Sequence, residues 1–310
     1  MTDVPELTEA SAAGAAEAAG VVNEHHRYRP GEPLRRYVAW YTGYRQRGIP
    51  PARHRGLPSP YLTLIFTLDE PLSIEAHPDP GQPPGEFHAL LGGLHSAPAL
   101  IRHEGAQSGL QLALRPPGVR ALLGLPAGEL AGTDVHAETV LGAVCAELRD
   151  RVLTATSWPE RFAILDEILL RQLVTGNNGA ALAPEVLHAW RQLLRAGGAV
   201  RVADLAAETG WSSRHLASRF RAEIGLTPKA AARVIRFDRA KQTLISRVHD
   251  EGYQLADLAA ETGYFDQAHL AREFRALAGC PPSQWLAEEF RNVQAGNWLG
   301  DESWEHHSST

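Results

Sequence analysis

A chain of 310 residues with 44% hydrophobic and 21% charged residues can bury two separate cores and has the composition of an ordinary globular protein. Its formal net charge of −6 excludes a molecule that binds nucleic acid over its whole surface, so any such surface has to be local. The two cysteines, Cys145 and Cys280, are far apart and outside any C-x-x-C. This excludes a disulfide framework and a cysteine zinc site, and fits a reducing compartment.

Residues 1–23 are acidic and alanine-rich, with no basic start or apolar core. They read as a flexible tail rather than a secretory signal. No apolar run reaches the roughly 20 residues of a membrane helix, and the expected location is the cytoplasm. Residues 24–175 read as a mainly antiparallel β-domain with helices. Within it, residues 61–67 (Tyr-Leu-Thr-Leu-Ile-Phe-Thr) are rich in aromatic and β-branched side chains. Leu110, Leu112 and Leu114 alternate with Gln111, Ala113 and Arg115, the pattern of a half-buried strand. Trp40 and Tyr61 among the apolar residues fit a cavity for a small organic effector; a purely structural dimerising domain is the alternative.

Helical spacing takes over after Pro117. Ser157 is placed to cap a helix whose first turn holds Pro159 and Glu160. Phe162, Leu165, Leu169 and Leu173 then form one apolar stripe, read as packing on the β-domain, with a homodimer seam as the alternative. Gly176-Asn-Asn-Gly179 breaks the pattern inside a linker over 176–183. An all-α domain over 184–291 and a second flexible tail over 292–310 complete an α+β chain.

The strongest signal is an internal repeat. Ala203-Asp-Leu-Ala-Ala-Glu-Thr-Gly210 recurs unchanged as Ala256 to Gly263. His215-Leu-Ala-Ser-Arg-Phe-Arg-Ala222 is echoed by His269-Leu-Ala-Arg-Glu-Phe-Arg-Ala276. Each copy parses as a helix, a glycine-ended turn and a second helix, which is helix-turn-helix logic. Leu216 and Phe220 anchor the second helix of the first copy, and Ala206 and Ala259 are small where helices cross. Thr227 caps, and Pro228 starts, a long helix to about Val248 that joins the copies.

Charge favours a nucleic-acid role over a plain helical hairpin. From Trp211 to Asp250 nine basic residues face three acidic ones, a balance of +6. With Leu216 and Phe220 inward, Arg214, Ala217, Ser218 and Arg221 share the outward stripe; in the second copy Ala268, Ala271, Arg272 and Arg275 do so, with Gln267 at the entrance. Short residues among a few long donors let a helix sit deep in the major groove. From Glu251 to Phe290, however, two basic residues stand against seven acidic ones, which predicts a weaker reader in the second copy.

The stretch from Pro184 to Trp285 resembles the AraC/XylS DNA-binding domain. The motif Gly263-Tyr-Phe-Asp-Gln-Ala-His-Leu-Ala-Arg-Glu-Phe-Arg275, followed by Gly279-Cys-Pro-Pro-Ser-Gln-Trp285, carries most of that likeness. The resemblance implies a transcription regulator, activator or repressor, whose recognition helices enter adjacent major grooves. Its DNA contacts would be Ser213, Arg214, Ala217, Ser218, Arg221 and Arg236, then Gln267, Ala268, His269, Arg272 and Arg275. The matching positions place base readers at Arg214, Ala217, Ser218, Gln267, Ala268, His269 and Arg272, with readout mainly by Arg214 and Arg272, and Arg221 and Arg236 are the expected phosphate contacts. Implied partners are double-stranded DNA, RNA polymerase, an unidentified small-molecule effector and a second copy of the chain. Upstream, Tyr28-Arg-Pro30, residues 34–40, Leu64-Ile-Phe66, Leu91-Gly-Gly93 and residues 114–127 resemble an uncharacterised sensor domain that precedes some AraC-type domains.

Nothing points to an enzyme, a cofactor or a metal. There is no phosphate-binding glycine loop and no G-x-S-x-G elbow. Cys145 is a poor match for a cysteine methyl acceptor of the kind some AraC-type repair regulators carry. His88, His95 and His103 read as surface or core histidines, His215 and His269 as phosphate or helix-packing residues, and His306 and His307 as tail residues. The second reading left open is a sensor or interaction protein whose helix-turn-helix units no longer bind DNA.

Overall fold

The computed structural model describes residues 21–175, 182–248, 250 and 252–293. Most of both terminal tails, with His306 and His307, and the Gly176–Gly179 break lie outside the described residues. Val22 and Asn23, assigned to the first tail from sequence, instead begin strand β1 (Val22–Tyr28). Residues 292 and 293, assigned to the second tail, end the last helix.

The strands that follow are β2 (Val38–Arg47), β3 (Ala52–Gly56), β4 (Leu62–Thr67), β5 (Leu72–Ala76), β6 (Gly85–Phe87), β7 (Ala89–Gly92), β8 (Ala99–His103), β9 (Ala106–Leu114) and β10 (Asp134–His136). They form a six-stranded sheet in the order β1-β2-β9-β4-β7-β10 and a four-stranded sheet in the order β3-β8-β5-β6, antiparallel throughout. The alternation read in β9 sets its register: Leu62, Leu64 and Phe66 lie opposite Leu114, Leu112 and Leu110, and all six are fully buried. Ile65, Leu72, Ile74, Phe87, Leu90 and Ile101 form a separate cluster.

Helices α1 (Pro116–Leu123), α2 (Glu138–Leu141), α3 (Ala143–Thr154) and α4 (Trp158–Thr175) cover the larger sheet. The Ser157 cap forms, its Oγ accepting from Glu160 N–H at 3.3 Å. Phe162 of α4 stacks on Tyr28 and Tyr41, and the Asp166 carboxylate accepts from Tyr41 Oη at 2.9 Å. Phe162, Leu165 and Leu169 are buried and Leu173 packs beside them, so the apolar stripe covers the β-domain, as read. Cys145 is fully buried. Burial, then the Glu138 carboxylate, pushes its thiol up to about 12, which removes it as a nucleophile.

The C-terminal helices are α5 (Pro184–Arg195), α6 (Val202–Thr209), α7 (Ser213–Ile224), α8 (Pro228–Ser246), α9 (Leu255–Thr262), α10 (Gln267–Ala278) and α11 (Pro282–Val293). Helix α8 has 19 residues, a rise of roughly 28 Å. The cores do not divide at the expected linker. One continuous core runs from the larger sheet through α4 and α5 into α6, α7 and the start of α8. A separate core joins Phe237, Ala240 and Leu244 of α8 to Leu258, Leu270, Phe274 and Trp285.

Candidate nucleic-acid interface

Both repeats fold as two short helices around a left-handed glycine. Gly210 has φ +70° and Gly263 φ +80°, backbone that a side chain would strain. In the first unit the Ser212 Oγ caps α7 by accepting from His215 N–H at 3.2 Å. In the second the Asp266 carboxylate caps α10 by accepting from His269 N–H at 2.6 Å. Leu216, Phe220 and Ile224 point inward from α7, and Leu270, Phe274 and Leu277 from α10, each nearly or fully buried. That leaves Ser213, Arg214, Ser218 and Arg221 exposed on α7, with Ala217 half-buried. On α10, Gln267, Ala268, Arg272 and Arg275 are exposed. Nine of the eleven residues expected to touch DNA thus sit on the two outward faces.

Arg236 does not. It is half-buried, donates from Nη2 to the Gly198 carbonyl at 2.9 Å, and lies 5.6 Å from the centre of the Tyr264 ring. The reason is its place on α8, which runs between the units and turns its residues onto one or the other. His269 is also partly withdrawn. Its Nδ1 accepts from Phe265 N–H at 3.4 Å and its ring meets Tyr264 edge-on at 5.2 Å. In the first unit His215 meets Trp211 in the same way at 4.6 Å.

The raw charge counts change meaning once partners are visible. Of the nine basic residues in the first stretch, Arg233 pairs with Glu273, Lys241 with Asp238 and Arg247 with Asp250, and Arg236 is held as above. Arg214, Arg219, Arg221, Lys229 and Arg239 are exposed and have no acidic partner among the described residues. Five of the seven acids of the second stretch are engaged as well. Asp257 closes a capping box with Gln254, Asp266 caps α10, Glu261 accepts from Tyr253 Oη, Glu273 binds Arg233, and Glu288 pairs with Arg55. The three hydrogen bonds from Arg233 to Glu273 hold that guanidinium charged, above its ordinary range. The outward face of α10 therefore carries Arg272 and Arg275 with no acid between them.

The sequence reading missed Phe265, which is 93% exposed at the mouth of the second turn. A signal for it existed. The repeat runs at a spacing of 53 up to the glycines and 54 from His215 to His269, and Phe265 is the inserted residue.

The β-domain grips both units. Arg120 bonds Glu223 of α7 at 2.7 Å. A Cβ on Gly128 would lie 2.1 Å from the Ala222 carbonyl oxygen, so only glycine permits that approach. On the second unit Arg55 binds Glu288, and Leu57 packs against the second core. Trp40 and Tyr61 meet edge-on at 4.7 Å, with Arg27 over Trp40. Two open concavities lie elsewhere, one between the units and one between α3 and α4. His88, His95 and His103 stay apart: His88 faces Thr67, His95 the Ala97 carbonyl and His103 Gly105 N–H. No trio of metal-ligating side chains occurs among the described residues. No described helix is long and apolar enough to cross a membrane.

Two capped helix-turn-helix units on one long connecting helix define the class, a double helix-turn-helix protein. Residues 205–288 match a family described as helix-turn-helix domain, and residues 26–136 match a domain of unknown function (DUF6597). A stretch of 71 residues is 37% identical to the uncharacterized HTH-type transcriptional regulator YbfI of Bacillus subtilis (strain 168), covering 23% of this chain and 24% of that protein. Among solved structures, ToxT from Vibrio cholerae O395 has a TM-score of 0.44 at 12% identity, over 86% of this chain and 97% of that one. The C-terminal domain of AraT, a response regulator from Geobacillus stearothermophilus, has a TM-score of 0.32 at 20% identity, over 41% and 98%. At TM-scores below 0.5 both are distant likenesses. Residues 205–288 of the chain therefore carry a helix-turn-helix domain similar to that of an HTH-type transcriptional regulator.

Proposed function

We propose that the protein is a sequence-specific DNA-binding transcription regulator of the AraC type. Residues 184–291 are the DNA-binding part, and residues 24–175 sense a small-molecule effector or dimerise. The observation that supports this most is the duplicated outward face: Ser213, Arg214, Ser218 and Arg221 on one capped helix, Gln267, Ala268, Arg272 and Arg275 on the other. Arg214 and Arg272 suit bidentate bonds to guanine, and the short side chains beside them suit close entry into the major groove. Arg221, Arg219 and Arg239 suit phosphates. Phe265 adds an apolar surface for a thymine methyl or a sugar. Contact with RNA polymerase and action in the cytoplasm belong to the same reading. An interaction protein that has lost DNA binding is less well supported, because five of the seven acids that suggested it are engaged in caps, ion pairs or a tyrosine hydrogen bond.

Footprinting of the purified chain on promoter fragments from its own genomic neighbourhood, over a salt series, tests this. Two protected elements about one helical turn apart, with affinity falling steeply in salt, are expected. Absence of protection, or affinity indifferent to salt, rules the reading out.

A further inference from the structure

A cleft of about 550 Å³ opens between the two units. Its walls are the turn from Gly198 to Val202, the first half of α8, and His269 with Glu273 of α10. Four lining side chains are cationic, Arg201, Lys229, Arg233 and Arg236, against one acid, Glu273. Glu273 is consumed by Arg233. Arg201 shares its charge with Asp204 at 2.8 Å, but 81% of its side chain is in solvent, where such a pair is weak and easily exchanged. Lys229 is exposed at the second position of α8 and has no acidic partner among the described residues.

Arg236 builds the floor of this cleft. Its hydrogen bond to the Gly198 carbonyl pins the turn to α8. A Cβ on Gly198 would lie 2.2 Å from the Ala232 carbonyl oxygen, so the turn cannot approach with a larger residue. The Arg236 Nε is buried and has no hydrogen-bond partner. A guanidinium held this way beside an open cleft, without a carboxylate, leaves positive potential for a ligand to meet. His269 adds a donor: with Nδ1 accepting from Phe265 N–H, the neutral ring carries its hydrogen on Nε2.

We propose that this cleft is a phosphate site for the DNA backbone that passes between the two recognition helices. Lys229, Arg201 and His269 are its ligands, and Arg236 is the positioning residue. The inference rests on the DNA-binding reading. If successive major grooves take α7 and α10, the backbone between those grooves faces the cleft, with one negative charge per phosphate. The cleft is open to solvent and its charged side chains are mostly cationic, unlike the enclosed pockets that hold small effectors. His269 thereby becomes a phosphate contact instead of a base reader.

The full-length protein is titrated onto its footprinted duplex, carrying one neutral methylphosphonate at a time between the two protected elements. One or two positions should weaken binding by roughly tenfold. Lys229→Ala should cause a similar loss on unmodified DNA, lower the salt slope by about one unit, and show no added loss at those same positions. A melting temperature equal to that of the wild type excludes a folding defect in this variant. Indifference to every methylphosphonate between the elements, or a Lys229→Ala loss that adds in full to the methylphosphonate loss, overturns the phosphate site while the regulator reading stands. Wild-type protein that binds no DNA overturns both.

Discussion

The two helix-turn-helix units share an identical eight-residue helix and turn, yet the chain holds them differently. In both copies the threonine hydroxyl bonds back to the leucine carbonyl one turn earlier, and the glycine ends the helix. The acids of the same segment then diverge. Glu208 reaches across to His188 of α5 at 2.8 Å, whereas Glu261 accepts from Tyr253 just before its own helix. Asp204 pairs with Arg201, whereas Asp257 caps its own helix. Below the surface the contrast is larger. The first unit is continuous with the β-domain core, while the second keeps a core of its own and touches the β-domain through Arg55, Leu57 and Pro98. Repeated local sequence yields repeated local structure, and non-repeated neighbours decide how each copy is anchored.

The largest expected effect separates the anchors. Phe220 and Phe274 are equivalent and fully buried, and truncating either to alanine should cost about 3–5 kcal/mol. In urea, Phe220→Ala should lower a transition shared by the first unit and the β-domain. Phe274→Ala should split off an earlier transition confined to residues 255–293, visible by hydrogen exchange. A single, identical transition in both variants would show that the separate cores unfold as one.

Gly128→Ala tests the grip on the first unit. The added methyl meets the Ala222 carbonyl and should destabilise by about 1–3 kcal/mol. Exchange should rise at the end of α7 and stay unchanged in α10. Equal exchange in both helices would mean that the β-domain holds the two units through one contact network.

Arg214→Ala and Arg272→Ala compare the readers. Each should cost about 1–3 kcal/mol on the specific site and relax preference at one base. The raw charge counts predicted a weak second reader, but the engaged acids predict losses of similar size. An Arg272→Ala loss far smaller than that of Arg214→Ala, in equilibrium titrations on the same duplex, would restore the first view. Equal losses on specific and random DNA would make either arginine a phosphate contact.

The smallest effect concerns Glu288. The Glu288→Gln variant removes the ion pair with Arg55, both side chains being partly buried, and should cost about 1 kcal/mol. Faster exchange in α11 without change in α7 is the expected result. Slowed or unaltered exchange in α11 would show that Leu57 and Pro98 hold the second unit unaided.

Sequence alone determined everything that depends on short spacing. The octapeptide repeat, the caps at Ser157 and Thr227, the left-handed glycines and the outward stripes are consequences of helix geometry within a dozen residues. So is the alternation of Leu110, Leu112 and Leu114, which fixed the face and register of a central strand. Tertiary structure alone decided what depends on partners distant in the chain. The Arg233–Glu273 pair spans 40 residues and the Arg55–Glu288 pair 233, so no count of charges along the chain could cancel them. Arg236 was placed on DNA by its charge and turned inward by the central course of α8. The expected boundary at 176–183 does not divide the packing, because one core holds the helices on both sides of it. Burial depends on which surfaces meet in space, and here a helix-turn-helix unit and a β-sheet share one core.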